Sequence, residues 1–269
     1  MKSPGELYAT LFASPRWAGF NRLLLRCGLR GLGVNNYEND TISGEHYLIE
    51  RILPRLIERD TPLFLDIGAH TGAYTRVLGR RFPQATIHAF EPHPRNFERL
   101  RASNVPGATY HNVALGAEDA VLMLYDRADQ DGSEHASLHE AVISDLHRQP
   151  ATRVEITVRT LDEVALEENL TFIDFMKIDT EGHELAVLRG ASSLLARGAI
   201  GCIQFEFNEM HTVSRSFFRD FRLLLSTYDL YRLLPRGLLK LGTVPLLTEL
   251  YAYQNILAVP GERAHLLPS

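Results

Sequence analysis

Five carboxylates stand where an apolar run gives way to a turn or a helix. "FLDIGAHTGAYT", beginning at Phe64, carries Asp66 at the end of a strand-like run, then a small-residue turn with Gly68 and Gly72, then the start of a helix. "TIHAFEP" places Glu91 at the end of a second run, and "FIDFMKIDTEGHE" carries Asp179 and Glu181, with Gly182 and His183 opening the next helix. In "QFEFNEMH", period-two alternation puts Glu206 and Asn208 on one face of a strand. Acids so placed can bind hydroxyl or ammonium groups, take a proton from an alcohol, or hold a hard cation.

The turn narrows the choice of ligand. A strand end followed by a helix start offers backbone N–H groups and a positive dipole end to an anionic group. A dinucleotide fingerprint would require glycine at positions 70 and 73, where this chain has His70 and Ala73, and no G-K-[ST] follows to make a phosphate loop. Glu91, about twenty residues past the glycines, suits both hydroxyls of a ribose. The combination fits an adenosine whose other end is not a pyrophosphate. S-adenosylmethionine meets that description, with an ammonium for Asp66 or nearby carbonyls and a carboxylate for the turn's N–H groups.

The elements that would position these residues alternate. "LFLDIG", "TIHAFEP" and "ATYHNVAL" read as strands, separated by helices from about Gly72 to Phe82 and over "RNFERLRAS". Short apolar runs between helices imply βαβ units and a parallel sheet. "VLMLYD" and "VEITVRTLDEV" read as further strands on either side of an irregular stretch, Arg127 to Gln149, long enough to be a lid or part of an acceptor pocket. Its His135, His139 and His147 have no metal-ligand spacing. The alternation then resumes with "FIDFMKIDTEG", a helix over "HELAVLRGASSLLARG", the strand "AIGCIQFEFN" and a helix from about Ser214 to Thr227. "YDLYRLL" and "LYAYQNILAVP" close the chain as an antiparallel edge pair.

Upstream, "NNYENDTISGE" leads into a helix from about Glu45 to Arg59 that Pro54 should kink or divide. Leu7 to Leu32 is apolar and interspersed with Arg16, Arg22, Arg26 and Arg30, and Leu23, Leu24, Leu25 and Leu29 are expected to face one way on a short helix. Packing on the main body is one reading of it, a helix lying on a membrane surface the other. The expected division is therefore 1–44, a helical appendage and cap, and 45–269, the main domain.

With 269 residues, 45% hydrophobic, and a formal net charge of −5, the composition is that of an ordinary globular protein and argues against a nucleic-acid partner. No apolar run is long enough to span a membrane, the first residues lack the pattern of a signal peptide, and Cys27 and Cys202 suggest no disulfide framework, so a cytoplasmic location is expected.

"FLDIGAHTGAYT", "FEPHP", "NVAL", "TLDE", "IDFMKIDTEGHELAVLRGA" and the closing "NILAVP" together resemble the FkbM family of S-adenosylmethionine-dependent methyltransferases, from about Asn35 to Pro260. "SGEHYLIERIL" resembles that family's lead-in. The resemblance implies a Rossmann-like class I methyltransferase fold: α/β, a mostly parallel seven-stranded sheet with an antiparallel last strand, and helices on both faces. It implies methylation of hydroxyl oxygens on natural products or saccharides. By position, Asp66, Gly68, Ala69, His70 and Gly72 would hold the methionine end, Glu91 the ribose, Asn112, Val113 and Ala114 the surroundings of the adenine, and Asp179 the sulfonium. The family often has asparagine where this chain has His70.

A sulfonium is already an activated leaving group. Catalysis then needs an acceptor oxygen held in line, about 3 Å from the methyl carbon, and a group that takes the hydroxyl proton. Asp179, Glu181, His183 and Glu206 are the candidate catalytic residues, with Glu181, His183 or Glu206 as base. Alternatively, Asp179, Glu206 and Asn208 would hold a magnesium ion that polarises the oxygen. Glu184 is expected only to cap its helix. The acceptor is expected to be a small-molecule or glycan hydroxyl, with a homodimer and peripheral membrane contact through the N-terminal helix as further partners. The alternative function is a non-catalytic binding or scaffold protein that keeps the fold.

Overall fold

In a computed structural model, which describes residues 2–129, 132–133 and 136–268, the apolar runs become eleven strands. These are β1 Leu63–Ile67, β2 Thr86–Phe90, β3 Ala108–His111, β4 Ala114–Leu115, β5 Ala120–Arg127, β6 Ala151–Arg159, β7 Phe175–Ile178, β8 Ile203–Glu206, β9 Tyr228–Leu234, β10 Gly237–Lys240 and β11 Asn255–Pro260. Eight of them form one sheet in the order β10-β9-β11-β8-β7-β1-β2-β3, and β4-β6-β5 form a second. From β8 to β3 all pairs are parallel, while β11 runs antiparallel to both β8 and β9. The fold is therefore the expected α/β one, with β10 added at the edge as a hairpin on β9.

Burial on both faces explains the short continuous apolar strands. Phe64 and Phe175 point to one side, into a cluster with Leu48, Ile52, Ile87 and Leu257. Leu65, Ile67, Met176 and Ile178 point to the other, with Leu188, Phe205 and Phe221. The strand order reverses between β1 and β7, and in such sheets the crevice beyond the carboxyl ends of the strands at that switch point is where ligands bind.

Several local expectations give way to tertiary context. "ATYHNVAL" is not one strand: Asn112 donates to the carbonyls of Glu91 and Pro92 at 2.9 and 3.1 Å, which turns the chain out of the main sheet and sends Ala114 and Leu115 to the second. The helix after His183 breaks into Glu184–Arg189 and Ser192–Ala196. At the break a Cβ on Gly190 would lie 1.9 Å from the carbonyl oxygen of Gly116. The 214–227 helix shortens to Phe218–Leu224. "YDLYRLL" and "NILAVP" do pair antiparallel, but as β9 and β11, with β11 inside the sheet rather than at its edge. Pro54 does not divide its helix: Leu48–Ile52 winds as a π-turn just before it, with a regular turn Leu53–Leu56 following, and i→i+5 bonding accommodates the missing N–H.

The N-terminal helices Pro4–Phe12 and Ala18–Gly31 contain no buried residue. Leu23, Leu24 and Leu25 are 57%, 44% and 62% exposed, so the expected packing of this face on the main body is not found.

Candidate functional site: two cavities meeting at a glycine turn

Two cavities open at the carboxyl ends of β1, β2, β7 and β8. The first holds about 610 Å³ including its open mouth and is lined by Phe90, Val113, Ala114, Leu115, Leu124 and Leu138 together with Gly68, His70, Glu91, Asp179 and Glu181. The second, larger cavity holds about 1690 Å³ including its open mouth and is lined by Tyr37, Glu45, Lys177, Glu206, Asn208 and Tyr253 among others. Gly68, His70, Asp179 and Glu181 belong to both.

Glu91 is the main polar feature of the first cavity. It is 6% exposed, and its two oxygens accept from the backbone N–H of His70 at 2.8 Å and of His93 at 2.9 Å. Burial pushes its carboxyl from the usual 4.5 up to about 7 despite those two bonds, with Asp66 and Asp126 adding to the rise. The segment after β5 folds over this cavity. Asp126 accepts from the N–H groups of Gly132 and Ser133 at 2.6 and 3.1 Å and from the Ser133 hydroxyl, and the His70 ring lies 3.4 Å from the Gly132 carbonyl.

The glycines of the turn serve the protein before any ligand. Gly68 has φ +80°, and a Cβ there would lie 1.8 Å from the carbonyl oxygen of Asp179, because β1 and β7 exit side by side. A Cβ on Gly72, at φ +79°, would meet Leu100 at 2.8 Å. The turn's N–H groups are also largely engaged. Gly68 and Ala69 donate to the Phe90 carbonyl, His70 to Glu91, and Gly72 to the Ala69 carbonyl. The expectation that this turn cradles a carboxylate through these N–H groups does not fit that bonding.

Asp66 is fully buried; one oxygen accepts from the Thr75 hydroxyl at 2.5 Å and the other has no hydrogen-bond partner. Its neighbour in register is Lys177, whose neighbour on the next strand is Gln204. The three make a polar row across β1, β7 and β8 on one face. Lys177 is 7% exposed, bonds the Asp179 carboxylate at 2.9 Å, and stands 4.8 Å over the Tyr74 ring. Burial alone would weaken its hold on a proton, but Asp179, Asp66 and Glu45 outweigh it and keep the ammonium charged far beyond its ordinary range. Gln204 donates to Glu45 at 2.8 Å and accepts from the Tyr74 hydroxyl at 2.6 Å. Glu206, one pleat further on, carries a carboxyl pushed well above its usual range by burial and by Asp179, Glu181 and Glu45. Its protonated form is thereby favoured.

The connection after β7 is conformationally unusual: Glu181 has φ +54° and Gly182 φ +99°. Glu184 holds it, accepting from the N–H groups of Thr180 at 2.8 Å and Gly182 at 3.1 Å and pairing with the His211 ring at 3.0 Å, both side chains fully buried. Burial would raise the Glu184 carboxyl, but these partners hold it below its usual value. Ser137 adds a hydrogen bond to the Glu181 carbonyl at 2.8 Å. Left-handed backbone at a non-glycine residue costs of order 1–3 kcal/mol and persists where the surroundings fix it. Here they fix Glu181 where the two cavities meet.

Of the residues that the sequence points to, Asp179, Glu181, Glu206 and Asn208 line the second cavity together, and Gly68, His70, Glu91, Val113, Ala114 and Asp179 the first. His183 turns away from Glu206 into the first cavity, where burial pushes it down to about 4. Asn112 spends its amide on the chain rather than facing the cavity. Asn208 donates to Glu206 at 3.2 Å, and among the described residues no group of three or more His, Cys, Asp or Glu is arranged to hold a metal ion, so the magnesium expectation finds no support. The 127–149 stretch gives Ser133 and Leu138 to the first cavity and His147 to the second, while His135 lies outside the described residues. The sequence does not point to Lys177, Glu45, Tyr37 or Tyr253. Lys177 had a signal: a cation inside an otherwise apolar run buried on both faces must have a carboxylate partner.

Comparison with known proteins points to methyltransferases. The chain is 32% identical over 146 residues to Methyltransferase 1 of Beauveria bassiana, covering 49% of this chain and 59% of that one. It is 24% identical over 203 residues to the 2-O-methyltransferase NoeI of Sinorhizobium fredii, covering 70% and 81%. A crystal structure of a FkbM methyltransferase from Methylobacillus flagellatus superposes with a TM-score of 0.43 at 16% identity, over 89% of this chain and 60% of that one. The chain thus spans about six tenths of the length of the first of these relatives. The family model for the methyltransferase FkbM domain matches residues 66–233, and the chain belongs to that family.

Proposed function

We propose that the chain transfers the methyl group of S-adenosylmethionine to a hydroxyl oxygen of a small molecule or saccharide. The observation that carries this reading is the meeting of two unlike cavities at Gly68–His70 and Asp179–Glu181. The first has Glu91 as its buried carboxylate; the second is lined by Lys177 and six carboxylates.

The cofactor fits the residues present. The first cavity's apolar wall of Phe90, Val113, Leu115 and Leu138 suits a purine, and Glu91 can accept from ribose hydroxyls. Asp66 is fully buried beside Lys177 and lines neither cavity. When bound, the sulfonium supplies an activated methyl group. Everything else falls to the protein.

In this reading Glu181 takes the acceptor's proton. His183, with its proton affinity so low and its ring on the adenosine side, is a weak and misplaced base, and Glu206, whose burial favours its protonated form, is the poorer acceptor of the two carboxyl groups. Glu206 donates a hydrogen bond to a second acceptor oxygen instead. Lys177 and Asp179 hold each other at the junction and keep it charged without a free anion. Because Asp40, Glu45, Asp179, Glu181, Glu206 and Glu209 line the second cavity against Lys177, an acceptor rich in hydroxyl donors is favoured over an anionic one. Support for oxygen as the target also comes from the relative named a 2-O-methyltransferase.

The test is transfer of labelled methyl from S-adenosylmethionine to a panel of neutral and anionic sugars and hydroxylated natural products. Product from neutral acceptors, lost in Glu181→Gln while cofactor binding persists, is the expected result. Cofactor binding without transfer to any hydroxyl compound would favour the scaffold reading.

A further inference from the structure

The N-terminal helices form a surface that none of the described residues covers. Tyr8 donates to Asn21 at 2.6 Å, and Phe12, Trp17 and Phe20 pack ring against ring at 5.1 to 6.1 Å, so the two helices are tied into a hairpin. Their apolar residues nevertheless face outward. Leu7 and Leu11 are 53% and 58% exposed, and Phe20, Leu23 and Leu24 are exposed along one side of the second helix with Cys27. The spacing i, i+3, i+4, i+7 makes these last four a single stripe. Arg22, Arg26 and Arg30, four apart, make a row beside it. Among the described residues no ion pair engages Arg22 or Arg26, while Arg30 meets Glu38 at 2.6 Å. Residues 1–33 carry five basic residues against Glu6 alone, in a chain whose net charge is −5.

We infer that this hairpin docks on an anionic phospholipid bilayer. An apolar stripe flanked by arginines, with Trp and Tyr between them, is the composition of a helix lying in a membrane interface. The leucines enter the acyl boundary, and the guanidinium groups stay with the phosphates. Charge decides between lipid and a second copy of the chain: an apolar contact between two such hairpins would bring two arginine rows together, whereas an anionic surface neutralises them. The attachment is close to the site. Asn35 donates to the Tyr253 carbonyl at 2.7 Å, buried Arg232 donates to the Leu32 carbonyl at 3.2 Å, and Tyr37, just past the hairpin, lines the second cavity. Docking would therefore anchor the chain to the bilayer at a point close to that cavity.

The test is sedimentation of the full chain with vesicles of phosphatidylcholine alone and of phosphatidylcholine mixed with phosphatidylglycerol, alongside size-exclusion chromatography without lipid. Binding to the anionic vesicles only, weakened on the order of ten-fold or more by Arg22→Ala with Arg26→Ala, weakened by added salt, and weakened by Leu23→Glu with Leu24→Glu, is expected. Unchanged melting temperatures of the variants separate loss of docking from loss of folding. Failure to bind anionic vesicles would overturn the inference. So would binding indifferent to all four substitutions, or a dimer in solution that the leucine substitutions dissolve.

Discussion

The proposed reaction gives two neighbouring carboxyl groups opposite tasks. In it Glu206 donates a hydrogen bond and Glu181 accepts a proton, so their amide variants should differ. Glu206→Gln, which mimics the protonated acid, is expected to change kcat by only a few-fold at neutral pH. Glu181→Gln should lower it by roughly 10²–10⁴-fold, the usual worth of a positioned proton acceptor. Steady-state assays of the two variants check this, and equal losses would contradict the assignment. Lys177 faces the reverse problem. Lys177→Met leaves Asp66, Asp179 and Glu45 without their buried cation, an expected loss of about 3–5 kcal/mol by urea unfolding at neutral pH. The loss should shrink in acid, where protonation removes the unmatched charge. Glu91 was legible in the sequence because a carboxylate ending a short apolar run sits at a sheet's rim; Asp66, read the same way, lies fully buried inside β1 and lines neither cavity. Glu45 and Tyr37 were not legible, because only the folded chain brings an upstream helix and a loop over Gln204 and Asp179. His183 shows the limit in the other direction: the sequence places it at a helix start but says nothing about which cavity its ring enters.

At the level of elements, the β1 turn and the β7 connection are one construction. Gly68 lies against the Asp179 carbonyl, so the two strand exits fix each other's path. Gly68→Ala would require a left-handed backbone, costing about 1–3 kcal/mol, as well as a shift of β7. The variant should lose more stability than that and lose cofactor affinity with it, as read by thermal unfolding and titration on the same sample. A stable variant that still binds would show the contact to be dispensable. The βαβ rhythm was readable because apolar strands buried on both faces leave a continuous signal. The split of β3 and β4, the break at Gly190 and the second sheet were not, because each follows from a contact distant in sequence: Asn112 with the Glu91 carbonyl, Gly190 with Gly116. The glycine turn stands out in the sequence as a ligand's cradle, yet its glycines and most of its N–H groups answer to neighbouring strands.

For the whole molecule, the pattern of buried acids sets a pH dependence. Glu91, Glu45, Asp66 and Glu206 all hold protons more tightly folded than unfolded. Their contribution is complete below the unfolded values near 4 and is lost as pH rises through the folded ones. Stability without ligand should therefore fall as pH rises from about 4.5 to 7. Glu91 alone accounts for up to about 3 kcal/mol of this, at about 1.4 kcal/mol for each tenfold gain in proton affinity. Melting temperatures across that range check it, and Glu91→Gln should flatten the fall. Cofactor binding should run the other way, tightening through about pH 7 as the Glu91 carboxylate becomes free to accept from hydroxyls. The central claim is that this crevice holds S-adenosylmethionine through Glu91. Isothermal titration of the protein with S-adenosylmethionine, beside Glu91→Ala, tests it most directly. Micromolar binding that the variant loses is the predicted result; no binding by the native chain, or equal binding by both, would contradict it.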